Sequence, residues 1–247
     1  MNIKTKLSFC MPVYNEHDSI LRYLDEIREG MLQREETYEF SICDDSGVAS
    51  FQELLTEYAS LNKVKIKYSH WEKNTGAATT LYQAVNQATG DTVILLDSDG
   101  QFGFDDILNG LEYLKENGYQ TIVLYERENK SSTLISKISS KLSSFMSFLL
   151  LGKKILLKDL NCALKILPRK DFIKLPLMAR HLNYSFEVLF YLSWLEQKKF
   201  VHFRCKSRKR FSGTSSMKLF QDGFARIFFL LFLAHVKILI KTKILKI

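Results

Sequence analysis

The chain has 247 residues, of which 46% are apolar and 25% charged. That composition excludes disorder, collagen and an overall coiled coil, and the length suffices to bury a full core without disulfides or a structural metal. The net charge of +8 is unevenly laid out: residues 1–120 hold ten Lys/Arg against twenty Asp/Glu, and residues 121–247 hold twenty-five against seven. A basic second half is suited to something anionic, either a membrane surface or nucleic acid. Its aromatics lie in apolar stripes instead of between the basic residues, which argues against nucleic acid.

Leu7–Val13 reads as a buried strand, entered from a short polar N-terminus without the apolar run of a signal peptide. Ile20, Leu21, Leu24, Ile27 and Met31 recur at helical spacing within Asp18–Leu32. Tyr38–Cys43 is a second strand, and it ends at Asp44-Asp45-Ser46-Gly47. Helix Phe51–Ser60, strand Val64–Tyr68 and helix Ala77–Thr89, closed by Gly90, follow. Strand Thr92–Leu96 ends at Asp97-Ser98-Asp99, and helix Asp105–Asn117 leads to strand Thr121–Tyr125. This alternation predicts an α/β fold with a mostly parallel sheet flanked by helices.

The second half reads differently. Leu134, Ile138, Leu142, Phe145 and Leu149 form one stripe of Leu134–Leu151, opposite a face of Ser and Lys, which predicts a basic amphipathic helix. Phe186–Leu195 is helical, and Val201–Phe203 is a short strand. Phe220–Lys246 predicts one helix or two, with an apolar block over 228–233 before Lys237, Lys241, Lys243 and Lys246. No stretch reaches the ~20 apolar residues of a membrane span. The block is therefore expected to lie on an anionic membrane surface or to pair with a second copy as a homodimer. Cys10, Cys43, Cys162 and Cys205 form no CxxC and have no adjacent His, which argues against zinc; Cys10 and Cys43 lie in strand-like apolar runs, which predicts buried reduced thiols there and a cytoplasmic protein.

The polar clusters Tyr14-Asn15-Glu16, Asp44-Asp45 and Asp97-Ser98-Asp99 all follow predicted strands. Ligands of open α/β sheets bind beyond the carboxyl ends of the strands, so these clusters predict one site. Two carboxylates one residue apart suit a hard divalent cation, Mg2+ or Mn2+, which binds substrate phosphates at the same time. A sugar nucleotidyltransferase would place a Gly-rich phosphate loop after the first strand, and Tyr14-Asn15-Glu16 is not one.

The order Pro12-Val13-Tyr14-Asn15-Glu16, Asp44-Asp45-Ser46, Asn74-Thr75-Gly76, Gly90-Asp91 and Asp97-Ser98-Asp99-Gly100-Gln101 resembles the family 2 glycosyltransferases of GT-A fold. Three later segments are similar to the polyprenyl-phosphate sugar transferases, the group that includes dolichyl-phosphate mannosyltransferase. They are Asp159-Leu160-Asn161-Cys162, Tyr184-Ser185-Phe186-Glu187 and Arg210-Phe211-Ser212-Gly213-Thr214-Ser215. The resemblance implies a GT-A domain over residues 1–219, with a nucleotide-sugar half at 1–127 and an acceptor half at 128–219, and an apolar, basic helical tail at 220–247.

It also implies roles. Pro12, Tyr14, Glu16, Asp44, Asp45, Gly76, Asp97 and Ser98 would hold a UDP- or GDP-sugar; one of Asp44 and Asp45 is also expected to hold a turn. Asp97 and Asp99, assisted by Gln101, would hold the metal. Asp99 and Arg210 would be catalytic, Arg210 countering phosphate charge from a loop, and Arg127, Lys137 and Ser215 would receive an acceptor phosphate. Tyr125-Glu126 stand before Arg127 where the family often has a small residue and Gly, and no Lys follows Gly76. The implied activity is inverting transfer to a polyprenyl phosphate on the cytoplasmic membrane face. Such an acceptor is already anionic near neutral pH, whereas a saccharide hydroxyl, the alternative, needs a base, for which Glu187 is the candidate. The intact Asp97-Ser98-Asp99 argues against a non-catalytic scaffold.

Overall fold

A computed structural model describes residues 6–48, 50–128, 155, 157, 159, 161–178, 184–194, 198–211, 233–234 and 236–237. The elements in chain order are β1 (Lys6–Val13), α1 (His17–Met31), β2 (Thr37–Asp44), α2 (Ser50–Asn62), β3 (Ile66–His70), α3 (Ala77–Gln87), β4 (Thr92–Leu95), α4 (Phe104–Asn117), β5 (Ile122–Arg127), β6 (Lys165–Pro168), α5 (Arg169–Phe172), α6 (Tyr184–Trp194) and β7 (Phe200–Cys205). The seven strands form one sheet in the order β3-β2-β1-β4-β6-β5-β7. β1 pairs in parallel with β2 and β4, β2 with β3, and β5 with β7. β6 runs antiparallel to β4 and β5.

Every element predicted for residues 7–125 is present, within a few residues of its expected bounds. α4 shows why: Phe104, Ile107, Leu111 and Leu114 repeat at helical spacing and are buried. The helix stops at Gly118, whose φ of +91° suits glycine and whose N–H returns to the Leu114 carbonyl. Strand β6 and the short helix α5 are elements that the pattern did not announce. Lys165 interrupts the apolar run of β6, yet all four residues are buried because β4 and β5 flank it on both sides.

Alternation along the strands divides the core into two layers. Cys10, Val93, Leu95, Ile122 and Leu124 face α3 and α6. Phe9, Met11, Phe40, Ile94, Val123 and Tyr125 face α1, α2 and α4. α6 is buried from Tyr184 to Ser193, so it is a core helix without a solvent face over that stretch. Leu233 and Val236 belong to the same layer as α6. The amphipathic helix expected at Leu134–Leu151 lies outside the described residues, as does most of the 220–247 tail. Among the described residues, no helix is long and apolar enough to cross a membrane.

Candidate active site at the carboxyl edge of the sheet

β1 opens the site. Beyond it Asn15 takes a φ of +56°, a left-handed conformation that Asn tolerates, and Tyr14 stands 45% exposed. Ser98 ties the neighbouring loop to this turn, donating to the Pro12 carbonyl at 2.9 Å and to the Glu16 carboxylate. The edge therefore brings Pro12, Glu16 and the Asp97-Ser98-Asp99 loop together.

The two aspartates after β2 do different work. Asp44 is buried and accepts from the Ser46 N–H at 3.0 Å, the Ser46 hydroxyl and the Tyr68 hydroxyl at 3.5 Å, while His17 Nε2 lies 3.1 Å away. The His17 ring stacks on Phe51 with centroids 4.1 Å apart. Asp45 holds the turn into α3, accepting from the Thr75 N–H at 2.7 Å, the Thr75 hydroxyl at 2.9 Å and the Gly76 N–H at 2.8 Å. Gly76 has a φ of +96°, a region that a side chain disfavours.

Asp97 is partly exposed and makes no hydrogen bond or ion pair among the described residues. Asp99 is 1% exposed; its Oδ1 accepts from the Gln101 N–H at 3.0 Å, and its Oδ2 lies 3.2 Å from a terminal nitrogen of Arg210. The same nitrogen is 3.5 Å from Glu16 Oε1. Burial, then the charges of Asp99 and Glu16, push the Asp97 carboxyl well above the usual range. Burial also raises Asp99 and Glu16, against the Gln101 N–H bond on the first and the Ser98 bond on the second. Three carboxylates thus share one edge, with the Arg210 guanidinium facing them and the charge of Arg127 also acting on Asp97 and Asp99.

The described residues hold no group of three or more His, Cys, Asp or Glu side chains arranged to share one metal ion. The donor set nevertheless fits a hard cation. Asp97 and Asp99 offer only oxygen, Asp97 has no partner among the described residues, and the local excess of negative charge calls for a counter-ion.

Arg210 reaches the site because its loop is stitched to residues 99–102. Phe102 and Ser207 form an antiparallel bridge, the Arg208 N–H donates to the Gln101 carbonyl at 3.0 Å, and the Phe211 N–H donates to the Asp99 carbonyl at 3.0 Å. The guanidinium groups of Arg22 and Arg208 lie 4.2 Å and 4.6 Å from the centre of the Phe211 ring. Glu26 pairs with Arg208 at 2.5 Å and accepts from the Phe104 N–H at 2.9 Å, so it also caps the start of α4.

The other end of the edge carries Arg127. Asp159 holds it side-on, with Nε to Oδ2 at 2.6 Å and a terminal nitrogen to Oδ1 at 3.3 Å. Beside them Lys165 is buried, donating to the Cys162 carbonyl and, at 2.7 Å, to the Ser185 hydroxyl; burial pushes its ammonium down to about 8. Glu187 is buried and accepts from the Met178 N–H at 2.8 Å and the Tyr82 hydroxyl at 3.2 Å. Lys137 and Ser215 lie outside the described residues.

Residues 8–175 match the family model described as Glycosyl transferase family 2. The chain belongs to this family. Among its family 2 relatives is the undecaprenyl-phosphate 4-deoxy-4-formamido-L-arabinose transferase of Proteus mirabilis, 29% identical over 160 residues, which are 65% of this chain and 48% of the relative. The chain thus spans about half the length of the curated relatives it matches. Mannosyl-3-phosphoglycerate synthase from Rubrobacter xylanophilus shares the fold, with a TM-score of 0.68, 13% identity and coverage of 98% of this chain and 76% of that one. Glucosyl-3-phosphoglycerate synthase from Mycobacterium tuberculosis, solved with Mn2+ and UDP-glucose, gives a TM-score of 0.58 at 15% identity, covering 89% of this chain and 74% of that one. The fold is therefore the GT-A fold that the motifs led one to expect.

In this family 2 chain, Pro12, Glu16, Ser98, Asp99, Gln101 and Arg210 form one connected group, with Asp97 beside it. The sequence did not single out His17, Glu26, Asp159, Lys165, Arg208 or Phe211 as site residues. The RKRF run at 208–211 carried a signal for two of them, since an aromatic beside alternate arginines is a stacking pattern.

Proposed function

We propose that this chain transfers a sugar, with inversion, from a UDP- or GDP-sugar to a polyprenyl phosphate at the cytoplasmic face of a membrane. The observation that carries the proposal is the open carboxylate of Asp97 beside the Asp99–Arg210–Glu16 cluster, at the sheet edge that also holds the Asp44 and Asp45 turns. The named activity of the Proteus mirabilis relative supports the lipid acceptor, and the Mn2+ and UDP-glucose of the Mycobacterium tuberculosis structure support a metal and a nucleotide sugar.

In this proposal the nucleoside lies against Pro12, Tyr14 and the Asp44–His17 group, with Gly76 nearby on Asp45. Asp97 and Asp99, with Gln101, would hold Mg2+ or Mn2+, which when bound supplies positive charge to the departing diphosphate. Arg210 turns its guanidinium to the charge that develops on the leaving group. Arg127, oriented by Asp159, receives the acceptor phosphate with Lys137 and Ser215. That phosphate attacks as an anion and needs no base, which fits the burial of Glu187 under Tyr82 and Met178. The basic residues of 134–151 and of the tail would meet the anionic membrane surface.

The test is a screen of UDP- and GDP-sugars with Mg2+ or Mn2+, with and without a short-chain polyprenyl phosphate. Metal-dependent formation of a lipid-phosphate sugar is expected. Transfer to a saccharide with none to the lipid would replace the proposal by the surface-glycan alternative and return Glu187 to the role of base.

A further inference from the structure

Both oxygens of Asp99 are engaged, and they are not equally replaceable. Oδ1 accepts from the backbone N–H of Gln101 at 3.0 Å, a bond built into the turn itself. Oδ2 faces the side chain of Arg210 at 3.2 Å. Oδ2 is the oxygen of Asp99 without a backbone partner, so it is the one a divalent ion can take without sharing the turn bond. At a bond length of about 2.1 Å the ion would lie within about 5 Å of the Arg210 nitrogen that contacts the same oxygen. Two cations on one oxygen repel, so they compete for it.

The surrounding loop makes such an exchange feasible. The backbone on both sides of Arg210 is pinned, by the Arg208 N–H on the Gln101 carbonyl and the Phe211 N–H on the Asp99 carbonyl. The Phe211 ring is held by cation contacts to Arg22 and Arg208. The Arg210 side chain, 31% exposed, is held at its tip by Asp99 and Glu16 alone among the described residues. It can swing while the loop stays docked.

We infer that Arg210 is a built-in counter-cation of the carboxylate cluster, which the metal ion displaces from Asp99 Oδ2 on entry, so that the guanidinium is released toward the diphosphate only in a metal-loaded site. The inference rests on Asp99 being a metal carboxylate, as proposed above. Metal alone must break the Arg210 contacts, whereas metal with a nucleoside diphosphate gives Arg210 new phosphate partners. The two ligands therefore enhance each other's binding, and Arg210 carries part of that coupling.

The experiment measures Mn2+ binding to the full chain by electron paramagnetic resonance of the free ion, with no sugar donor present. Wild type, Arg210→Ala, Arg210→Gln and Asp99→Asn are compared with Mn2+ alone and with Mn2+ plus UDP or GDP, after a melting curve shows each to be folded. Both Arg210 variants are expected to bind Mn2+ alone roughly tenfold more tightly than wild type, as removal of one competing charge predicts. The enhancement by nucleotide should shrink in both. Unchanged or weaker Mn2+ binding in the folded Arg210 variants, with binding lost in Asp99→Asn, would overturn the inference alone. Wild-type Mn2+ binding in Asp99→Asn would remove the metal role of Asp99 and the inference with it. If the alanine variant does not fold, the glutamine variant decides, since it keeps most of the side-chain stem.

Discussion

The ring of Phe211 lies where a side chain on Gly100 would have to go: a Cβ there would fall 2.5 Å from two ring carbons. Gly100 also has a φ of +71°, so any L residue would be strained even in open space. Gly100→Ala is expected to unseat Phe211 and withdraw Arg210 from Asp99. It should cost about 1–3 kcal/mol of stability and lower turnover more than it weakens donor binding. Gly103 is the control, because a Cβ there meets nothing closer than 3.8 Å. Denaturant melts and kcat of the two alanine variants check the point, and equal behaviour would show that the contact is dispensable.

Far from the site, Glu39 anchors the amino end of the sheet. It accepts from Ser8, from the Thr89 N–H and hydroxyl, and pairs with Lys65 at 2.9 Å and Lys6 at 3.7 Å. Burial raises its carboxyl, but the bonds from Lys65, Thr89 and Ser8 outweigh that and hold it down to about 2 from 4.5. A carboxylate held low stabilises the fold above its unfolded value, and the contribution is lost as pH falls from about 4.5 to about 2. Glu39→Gln should therefore cost about 2–4 kcal/mol at neutral pH, shrink that acid-dependent loss and leave kcat unchanged. Urea melts at several pH values measure both, and a variant whose stability falls with acid as steeply as wild type would contradict the assignment.

Much of this molecule was legible because it is local. The apolar period of α1 and α4 and the buried runs of β1 and β4 announce themselves in a few residues, and the acidic clusters then fall at the strand ends by topology. What stayed hidden depends on register between distant segments. Lys165 reads as a break in an apolar run until β4 and β5 are seen on both sides of it. The approach of Cys162 and Cys205 to 3.9 Å, and the docking of residues 207–211 on 99–102, join parts of the chain that no local pattern relates. Asp159 stands in a segment that the sequence marks, but its partner is hidden until the end of β5 brings Arg127 to it.

The described part of the tail bears on the membrane contact proposed for it. Leu233 is 0% exposed and, with Val236, completes the layer around α6. Leu233→Ala should cost about 2–5 kcal/mol, and ending the chain at Asp222 would expose that layer. The informative variants keep the apolar block and change Lys241, Lys243 and Lys246 to Gln. They should melt like wild type and bind anionic vesicles less, by roughly 1 kcal/mol per lysine at low salt. Undiminished flotation would place the membrane contact elsewhere.

The Arg127–Asp159 pair lets the proposed acceptor contact be tested apart from donor binding. Asp159 is buried, holds Arg127 side-on through both oxygens and accepts the Asn161 N–H at 3.3 Å. A side-on pair leaves part of the guanidinium free to donate and fixes its plane. If that free edge binds the acceptor phosphate, Arg127→Ala should raise the KM for a polyprenyl phosphate at least about tenfold, the loss of one charge-assisted contact. The donor KM should stay within about twofold. Arg127→Lys should restore little, because one ammonium cannot meet Asp159 and a phosphate in the same geometry. Asp159→Ala should be the least stable of the three, since it strips a largely desolvated guanidinium of its counter-charge at a cost of about 3–5 kcal/mol. Steady-state kinetics with each substrate varied in turn distinguishes the roles. Equal changes in both KM values, or in neither, would make the pair a strut between β5 and the segment before β6 and would leave the acceptor phosphate without its proposed anchor.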